Sequence, residues 1–427
     1  MDQDPGLGSL GGDRHVAVAS PPVLASTPAP HPVHEPICHQ ARPQGDIPEE
    51  SRHEGHLNRR LLIPTHATPS IIPPHTRRIL LVRLSARGDL VFASPLAAAI
   101  KRTFPHVHLA WVAEERTADV IAHNPHVDEL IVWERAGWKR LFKERRWGEL
   151  SDAVRSFVTE LRARRFDVAI DVQGLLRSGV VAFLSGAPMR IGLASREGSG
   201  LLMTRVLPLG GNKRAISSEY ENLARQLGLR VDPFTIEIPP SEQDRSGARA
   251  LTGGGGGYIV VAPFTTRYFK HWFEDRWSGL LERLGPATGR RVVMLGGPAD
   301  RAAAERILGP ITSDVLDLVG RTALGEAAAV VEGADAVIGV DTGLTHMAHG
   351  YERPSVLLLG SNTPYLEPPL PVSRILHSGR DCSPCRGKLT CEGRIDCMRD
   401  LSVDHVLDAV QEVLAPTVPV RGGAAPE

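Results

Sequence analysis

The sequence predicts an α/β protein with two Rossmann-like, doubly wound domains that face each other across a cleft, preceded by a disordered extension. Three observations support this prediction. The chain has 427 residues, more than one hydrophobic core usually serves. Short apolar runs alternate with amphipathic stretches in each half, as strands and helices do in parallel α/β sheets. Five consecutive glycines at 253–257 separate the two halves.

The first 75 residues hold 13 of the 34 prolines and 8 of the 17 histidines and show no sustained apolar periodicity. Because such a segment cannot bury enough apolar surface to fold, we predict a disordered extension over residues 1–76. Its histidines could bind a metal, but a variable, solvated tail is the commoner explanation. We assign no function to it.

The first ordered domain is predicted over residues 77–240. Its opening run, Ile79–Val82, is typical of a fully buried parallel strand. Further strands are predicted at 107–112, 129–132 and 167–172, with helices at 90–102 and 150–164. The loop Ser85–Asp89 follows the first strand, at the edge where open α/β sheets place their ligand chemistry. Asp89 either caps the next helix or removes a proton from a hydroxyl, a role that partial desolvation would favour.

Residues 241–257 are predicted to be a glycine-rich linker. The glycines precede a strand instead of following one, so they do not form a dinucleotide-binding fingerprint. The second domain is predicted over residues 258–415, followed by a flexible tail at 416–427. Its strands are expected at 258–262, 291–295, 336–340 and 355–359, and its helices at 274–284, 299–308, 324–332 and 343–350.

Two loops of the second domain also follow predicted strands. Pro263–Trp272 places hydroxyls and Lys270 beside a helix N-terminus, which favours an anion site, although a polar loop with an incidental cation fits the spacing equally well. In Val340–His346, Asp341 or Thr342 could cap the next helix, while Gly343 allows close approach of the backbone to a ligand.

Four of the five cysteines lie close together in the sequence, at Cys382, Cys385, Cys391 and Cys397. Four thiols match a tetrahedral zinc site or an iron site, although intervals of five residues are less typical of zinc ribbons. Reduced thiols or a disulfide remain alternatives. We expect no catalytic use of these cysteines.

The net charge and apolar runs exclude other classes of protein. Lys and Arg total 49, as do Asp and Glu, so the formal net charge of zero gives no global signature for nucleic acid. No run approaches the roughly 18 to 20 apolar residues of a membrane span, and no secretory signal is recognisable at the N-terminus. We expect a cytoplasmic protein that does not bind nucleic acid.

Four motifs together resemble glycosyltransferase family 9, the heptosyltransferases of lipopolysaccharide core assembly, over roughly residues 78–415. They are Leu84–Asp89, Asp171–Leu175, Thr265-Thr266 with Lys270-His271-Trp272, and Val340–His346. The resemblance implies the two-domain GT-B architecture, with the acceptor bound by the first domain and an ADP-heptose donor by the second.

The resemblance also implies roles for individual residues. Asp89 matches the catalytic base, and Asp341 matches a residue that contacts the heptose hydroxyls. Asp300 stands where relatives often carry Glu for the ribose, and Thr322 lies in the stretch that borders the adenine. The remaining donor-site residues fall at or beside the diphosphate: Thr265, Thr266, Lys270, Thr342, Gly343 and His346.

Metal-dependent sugar transfer commonly uses an Asp-x-Asp element, and the only such triplet is Asp2-Gln3-Asp4 in the predicted extension. We therefore expect an inverting, metal-independent transfer in which Lys270, hydroxyls and helix amides stabilise the leaving diphosphate. No cofactor is expected for catalysis, although the cysteines could hold a structural zinc or iron.

The implied acceptor is a lipid A-linked sugar of the lipopolysaccharide inner core at the inner face of the inner membrane, with which the protein would associate peripherally. Four cations, Arg177, Arg190, Arg196 and Lys213, are either acceptor contacts or solvated surface charges. Two other functions remain open: a nucleotide-sugar epimerase, which would consume the donor without an acceptor, and a non-catalytic sugar-nucleotide-binding protein.

Overall fold

The computed structural model describes residues 70–415 except 195–196, 212–213, 255–256, 386 and 388–389. Most of the predicted disordered extension and the predicted tail at 416–427 lie outside the described residues. Ser70 to Thr76, which we expected to be disordered, belong to the folded domain. Ile72 is buried, and the hydroxyl of Ser70 donates a hydrogen bond to the carbonyl oxygen of Leu227 at 2.8 Å. Two isoleucines are too short a run to show periodicity, which explains the error.

The first sheet has six parallel strands in the order β3-β2-β1-β4-β5-β6. Its strands are β1 Arg78–Val82, β2 His108–Glu114, β3 Glu129–Trp133, β4 Val168–Asp171, β5 Met189–Leu193 and β6 Arg205–Leu207. Its helices are α1 Arg87–Ala93, α2 Pro95–Thr103, α3 Arg135–Lys143, α4 Trp147–Ala163, α5 Leu176–Leu184 and α6 Ser218–Gln226.

The second sheet also has six parallel strands, in the order β12-β11-β10-β7-β8-β9. Its strands are β7 Tyr258–Ala262, β8 Arg291–Met294, β9 Val315–Asp317, β10 Ala336–Val340, β11 Ser355–Leu358 and β12 Ser373–Leu376. The helices that precede, cover or follow it are α7 Glu242–Thr252, α8 Glu274–Thr288, α9 Arg301–Leu308, α10 Leu324–Glu332, α11 Gly343–Gly350, α12 Asp396–Arg399 and α13 Val403–Leu414. The predicted class of two doubly wound domains is confirmed.

The segment predicted to be a linker contains helix α7. Ser241 caps this helix, because its hydroxyl accepts a hydrogen bond from the backbone N–H of Asp244 while the Asp244 carboxylate accepts one from the Ser241 N–H. Gly253 ends the helix in the left-handed conformation. The helix packs on α10 through the ion pair of Arg245 with Glu332, at 2.7 Å. Residues 241–253 are therefore an ordered helix with its caps, packed on α10, where a glycine-rich linker was predicted.

The strand orders determine where ligands can bind. In each sheet the first strand in sequence has its successor on one side and a later strand on the other, so the order reverses between β1 and β4 and between β7 and β10. In open α/β sheets such a switch point opens a crevice outside the carboxyl ends of the strands. No helix among the described residues is long and apolar enough to cross a membrane.

Candidate active site

The Asp89 loop, Leu84–Asp89, follows β1 at the first switch point. Asp89 lies in the first turn of α1, where its Oδ2 accepts a hydrogen bond from the backbone N–H of Ala86 at 3.0 Å. The same oxygen lies 2.6 Å from an Nη of Arg83, whose side chain is 10% exposed. The Asp89 side chain is 46% exposed. Among the described residues, no hydrogen bond uses its Oδ1.

The Asp171–Leu175 motif follows β4 across the same switch point and supports the Asp89 loop. The buried Asp171 carboxylate accepts hydrogen bonds from the backbone N–H groups of Gln173 and Gly174, at 3.0 and 3.1 Å. Burial raises the pKa of Asp171 despite these bonds. The Gln173 side-chain oxygen in turn accepts the backbone N–H of Leu84 at 2.8 Å. The motif therefore holds the end of β1 in place.

Of the four cations considered as acceptor contacts, Arg177 reaches the Asp89 loop. Its guanidinium donates to the Ser85 hydroxyl at 2.9 Å and lies 3.8 Å from Glu114. Arg190 instead braces its own domain by donating to the carbonyl oxygens of Ala187 and Leu202. Arg196 and Lys213 lie outside the described residues.

A second group of polar side chains, the Lys270–Asp341 cluster, lies at the switch point between β7 and β10. The buried carboxylate of Asp341 receives three side chains: Lys270 Nζ at 2.7 Å, His346 Nε2 at 3.0 Å and Asn362 Nδ2 at 2.5 Å. Burial opposes ionisation of Asp341, but His346 and Lys270 outweigh it and hold the pKa of this carboxyl below its usual range. Asp341 thus fixes the position of the Lys270 ammonium group.

His346 is enclosed within the protein. It is 1% exposed, its Nδ1 lies 2.9 Å from the hydroxyl of Tyr365, and the same hydroxyl lies 2.9 Å from Nε2 of His349. Burial, reinforced by His346, lowers the pKa of His349 to about 3, so His349 is neutral at physiological pH. Sequence reasoning missed Tyr365, His349 and Asn362, because they lie in no recognised motif and depend on folding to meet Asp341.

The remaining predicted residues line the same edge of the second sheet, and in the described part of the chain none of their side chains hydrogen-bonds to the Asp341 carboxylate. The Thr265 hydroxyl donates to the backbone carbonyl of Asp341 at 3.3 Å, whereas Thr266 is exposed. Thr342 is the N-cap residue of α11 but makes no side-chain capping bond. Asp300 accepts the backbone N–H of Gly297 at 2.8 Å beyond β8, and Thr322 follows β9.

The Asp89 loop and the Lys270–Asp341 cluster approach each other where α1 packs against α11. The Phe92 ring of α1 lies 4.6 Å, centroid to centroid, from the His346 ring. A Cβ placed on Gly88 would lie 3.8 Å from His346, and one placed on Gly343 would lie 3.7 Å from Cβ of Arg87. A Cβ at either glycine would make only ordinary van der Waals contact, and the distances show that the Asp89 loop lies next to the start of α11.

The four cysteines line one small cavity beside Ser361. All four are unpaired; Cys382 is exposed and Cys397 is buried. Burial raises the pKa of Cys397. Residues 386, 388 and 389 of this loop lie outside the described residues. Among the residues that are described, no group of three or more His, Cys, Asp or Glu side chains is arranged to hold a metal ion.

Two doubly wound sheets, each with polar loops at its switch point, form the GT-B architecture, and similar structures support this fold. The glycosyl transferase family 9 protein from Veillonella parvula has a TM-score of 0.70 and 22% identity, covering 79% of this chain and 97% of that one. E. coli heptosyltransferase WaaC with ADP-2-deoxy-2-fluoro heptose has a TM-score of 0.59 and 22% identity, covering 78% and 99%.

Sequence similarity identifies the family. The model of glycosyltransferase family 9 (heptosyltransferase) matches residues 154–395. Lipopolysaccharide heptosyltransferase 1 of Pseudomonas aeruginosa is 30% identical over 321 residues, which cover 74% of this chain and 87% of that protein. The chain belongs to glycosyltransferase family 9 and is a glycosyltransferase. The range matched by the family model begins after the Asp89 loop, so the roles of individual residues remain predictions.

Proposed function

We propose that this glycosyltransferase transfers a heptose from ADP-heptose onto a lipopolysaccharide inner-core sugar, with inversion at the anomeric carbon. The observation that supports this most is that the Asp89 loop and the Lys270–Asp341 cluster lie next to each other at the α1–α11 contact. It brings a carboxylate with an available oxygen close to the cluster that holds the Lys270 ammonium group, which suits a diphosphate. The similarity to lipopolysaccharide heptosyltransferase 1 and to a heptosyltransferase bound to ADP-2-deoxy-2-fluoro heptose supports this choice of sugar and acceptor.

Asp89 is the proposed general base. Arg83 and the Ala86 N–H hold Oδ2, which leaves Oδ1 to accept the proton of the acceptor hydroxyl. The hydroxyl oxygen then forms a bond to the anomeric carbon while the bond from that carbon to the diphosphate oxygen breaks on the opposite face. The proton resides on Asp89, and ADP leaves as the anion.

Lys270 is the proposed cation for the leaving diphosphate. Asp341 holds it in place beforehand, so little reorganisation is needed as charge develops on the diphosphate oxygens. The Thr265 and Thr266 hydroxyls and the backbone N–H groups at Thr342 and Gly343 would complete the anion site at the start of α11. Because Asp341 and His346 are buried, we assign them to positioning Lys270, with sugar contact limited to the exposed edge of Asp341.

Asp300 and Thr322 are proposed to border the ribose and adenine, since the carboxyl ends of β8 and β9 continue the crevice away from the diphosphate. The Asp300 side chain already caps its own turn, so a ribose contact would compete with that hydrogen bond. Thr322 would act through its backbone.

The nucleotide preference tests the donor assignment. Thermal unfolding is measured with ADP, UDP, GDP and CDP in the presence of EDTA, because a ligand that binds only the folded state raises the unfolding temperature by mass action. We expect ADP alone to stabilise the protein and Lys270→Met to lose that stabilisation. Arg283→Met, which removes an exposed cation elsewhere in the second domain, is the matched control. Preference for UDP would contradict the heptosyl donor.

The cysteine cavity is proposed as a structural metal site, for zinc or iron, with no part in catalysis. Four thiols around one cavity match the usual ligand count, although the described side chains would have to move inward to coordinate an ion. Elemental analysis of the purified protein tests this. We expect about one zinc or iron per chain, lost in the Cys382→Ser/Cys385→Ser variant. Absence of both metals from protein purified without chelator would contradict it.

The acceptor is proposed to be a lipid-linked sugar at the cytoplasmic face of a membrane. The enzyme itself would then be cytoplasmic and peripheral, and nucleic acid would not be among its partners. The named relatives act on lipopolysaccharide, which supports a lipid-linked acceptor.

A further inference from the structure

The outer surface of α3 and the turn into α4 concentrates positive charge. Residues 135–147 carry six Lys or Arg and one Glu, although the whole chain has a formal net charge of zero. Four of these cations are exposed and have no carboxylate partner among the described residues: Lys139, Arg140, Lys143 and Arg145. This positive charge is therefore local and not neutralised.

Two aromatic side chains lie among these cations without being covered. Phe142 is 59% and Trp147 is 54% exposed, and their rings stack edge to face with centroids 5.1 Å apart. No residue of α3 is buried. Trp138, on the inner side of the helix, attaches it to the domain by stacking on Trp133 and Phe157 at 5.4 and 5.6 Å. The outward aromatic pair thus contributes little to the core, and exposed apolar surface of this kind marks interaction sites.

The helix lies on the same edge of the first sheet as the Asp89 loop. α3 follows the carboxyl end of β3, and its first residue, Arg135, lies 3.4 Å from Glu114 at the carboxyl end of β2. Glu114 in turn lies 3.8 Å from Arg177, which donates to Ser85. A short chain of polar contacts therefore connects α3 to Ser85 in the Asp89 loop.

We propose that Lys139, Arg140, Phe142, Lys143, Arg145 and Trp147, the basic aromatic rim, dock the enzyme onto an anionic phospholipid surface. Lysine and arginine beside uncovered Trp and Phe, on a short amphipathic helix and the turn that follows it, are the features of an interfacial membrane contact. The cations attract lipid phosphates, and the aromatic pair inserts among the headgroups. The proposal rests on the proposed function for its purpose, since docking at this edge presents a membrane-anchored acceptor to Asp89.

Cosedimentation with sucrose-loaded vesicles tests the rim. Full-length protein is mixed with phosphatidylglycerol–phosphatidylethanolamine vesicles or with phosphatidylcholine vesicles, both lacking lipopolysaccharide. We expect binding to the anionic vesicles only, weakened by added salt. The Lys139→Gln/Arg140→Gln/Lys143→Gln/Arg145→Gln variant should bind at least about tenfold more weakly. Phe142→Ser/Trp147→Ser should also bind more weakly, whereas a matched control that removes four exposed cations elsewhere, Arg249→Gln/Arg283→Gln/Arg374→Gln/Arg394→Gln, should bind like wild type.

Equal binding by the rim variants and wild type, or binding only when the vesicles contain lipopolysaccharide, would overturn the proposal. A transfer assay with a deacylated, water-soluble acceptor separates this result from the proposed function. The rim variants should keep wild-type turnover on that acceptor. If wild type shows no transfer at all, the proposed function fails, while the vesicle result still decides the docking surface.

Discussion

The hydroxyl of Tyr365 connects the buried rings of His346 and His349 beside the Lys270–Asp341 cluster. Because Asp341 is ionised, His346 donates from Nε2 to it, and the Tyr365 hydroxyl bridges the other nitrogen of His346 to His349. We expect Tyr365→Phe to weaken ADP binding, since His346 and hence Asp341 lose a fixed orientation. It should also lower the free energy of unfolding by about 1 to 3 kcal/mol.

Titration calorimetry with ADP and urea unfolding measure the two effects of Tyr365→Phe. Tyr351→Phe is the matched control, because it also removes one hydroxyl, which bonds to the Ile238 carbonyl oxygen at 2.7 Å, away from the cluster. The control should lose stability and keep ADP affinity. Unchanged ADP affinity in Tyr365→Phe would show that the contacts of Tyr365 with His346 and His349 stabilise the fold without affecting ADP binding.

His349 makes the stability of the protein depend on pH. Its pKa is about 3 when folded and near 6.5 when unfolded, so the unfolded state binds the proton more readily between these values. The contribution of neutral His349 to the free energy of unfolding is fully present above about pH 6.5. It is lost as the pH falls toward 3, by about 1.4 kcal/mol per pH unit. The lowered pKa of Asp341 adds a further loss in acid. Urea unfolding at pH 7.5, 5.5 and 4.5 should show this slope, and His349→Gln should reduce it. An equal slope in both proteins would contradict the assignment.

Gly339 allows β10 to pack closely against β7 and α11 at the second switch point. It lies in β10, where a Cβ would lie 2.8 Å from the carbonyl oxygen of Ala262 in β7 and would also collide with the Thr345 hydroxyl. We therefore expect Gly339→Ala to lower the free energy of unfolding by about 1 to 3 kcal/mol. It should also weaken ADP binding, because α11 must move away from β7.

Gly279→Ala is the control for this substitution. A Cβ at Gly279, in the interior of α8, would make an ordinary contact with Val403 at 3.6 Å. Alanine favours a helix over glycine by up to about 1 kcal/mol, so this variant should unfold at equal or higher denaturant concentration. Equal losses in both variants would show that the close approach at Gly339 is unimportant.

Three of the strands that the sequence predicted correctly are buried almost throughout. β1, β7 and β10 are continuous apolar runs, and each lies near the centre of its sheet. The missed elements carry weaker patterns. β6 has three residues at the sheet edge, and α3 has no buried residue. α7 was hidden by the glycines that follow it. Hydrophobic periodicity reports burial, so partly exposed elements give it little signal.

The whole molecule brings together parts of the site that no local pattern connects. Asp89 and Lys270 lie 181 positions apart in the sequence. The packing of α1 on α11 brings the Asp89 loop to the helix whose His346 contacts the same carboxylate as Lys270. The resemblance to a family pointed to both residues. It could not show that Arg83 holds one oxygen of Asp89, or that Tyr365 and His349 support Asp341, because these contacts form only in the tertiary structure.

The most direct test of the central claim is the rate of ADP release from ADP-heptose, with and without a deacylated lipopolysaccharide-core acceptor, in the presence of EDTA. We predict release that requires the acceptor for wild type. Asp89→Asn, which keeps the size of the side chain, should reduce the rate by about a hundred- to ten-thousandfold while the protein remains folded. Donor loss without acceptor, or wild-type turnover by folded Asp89→Asn, would contradict acceptor activation by this carboxylate.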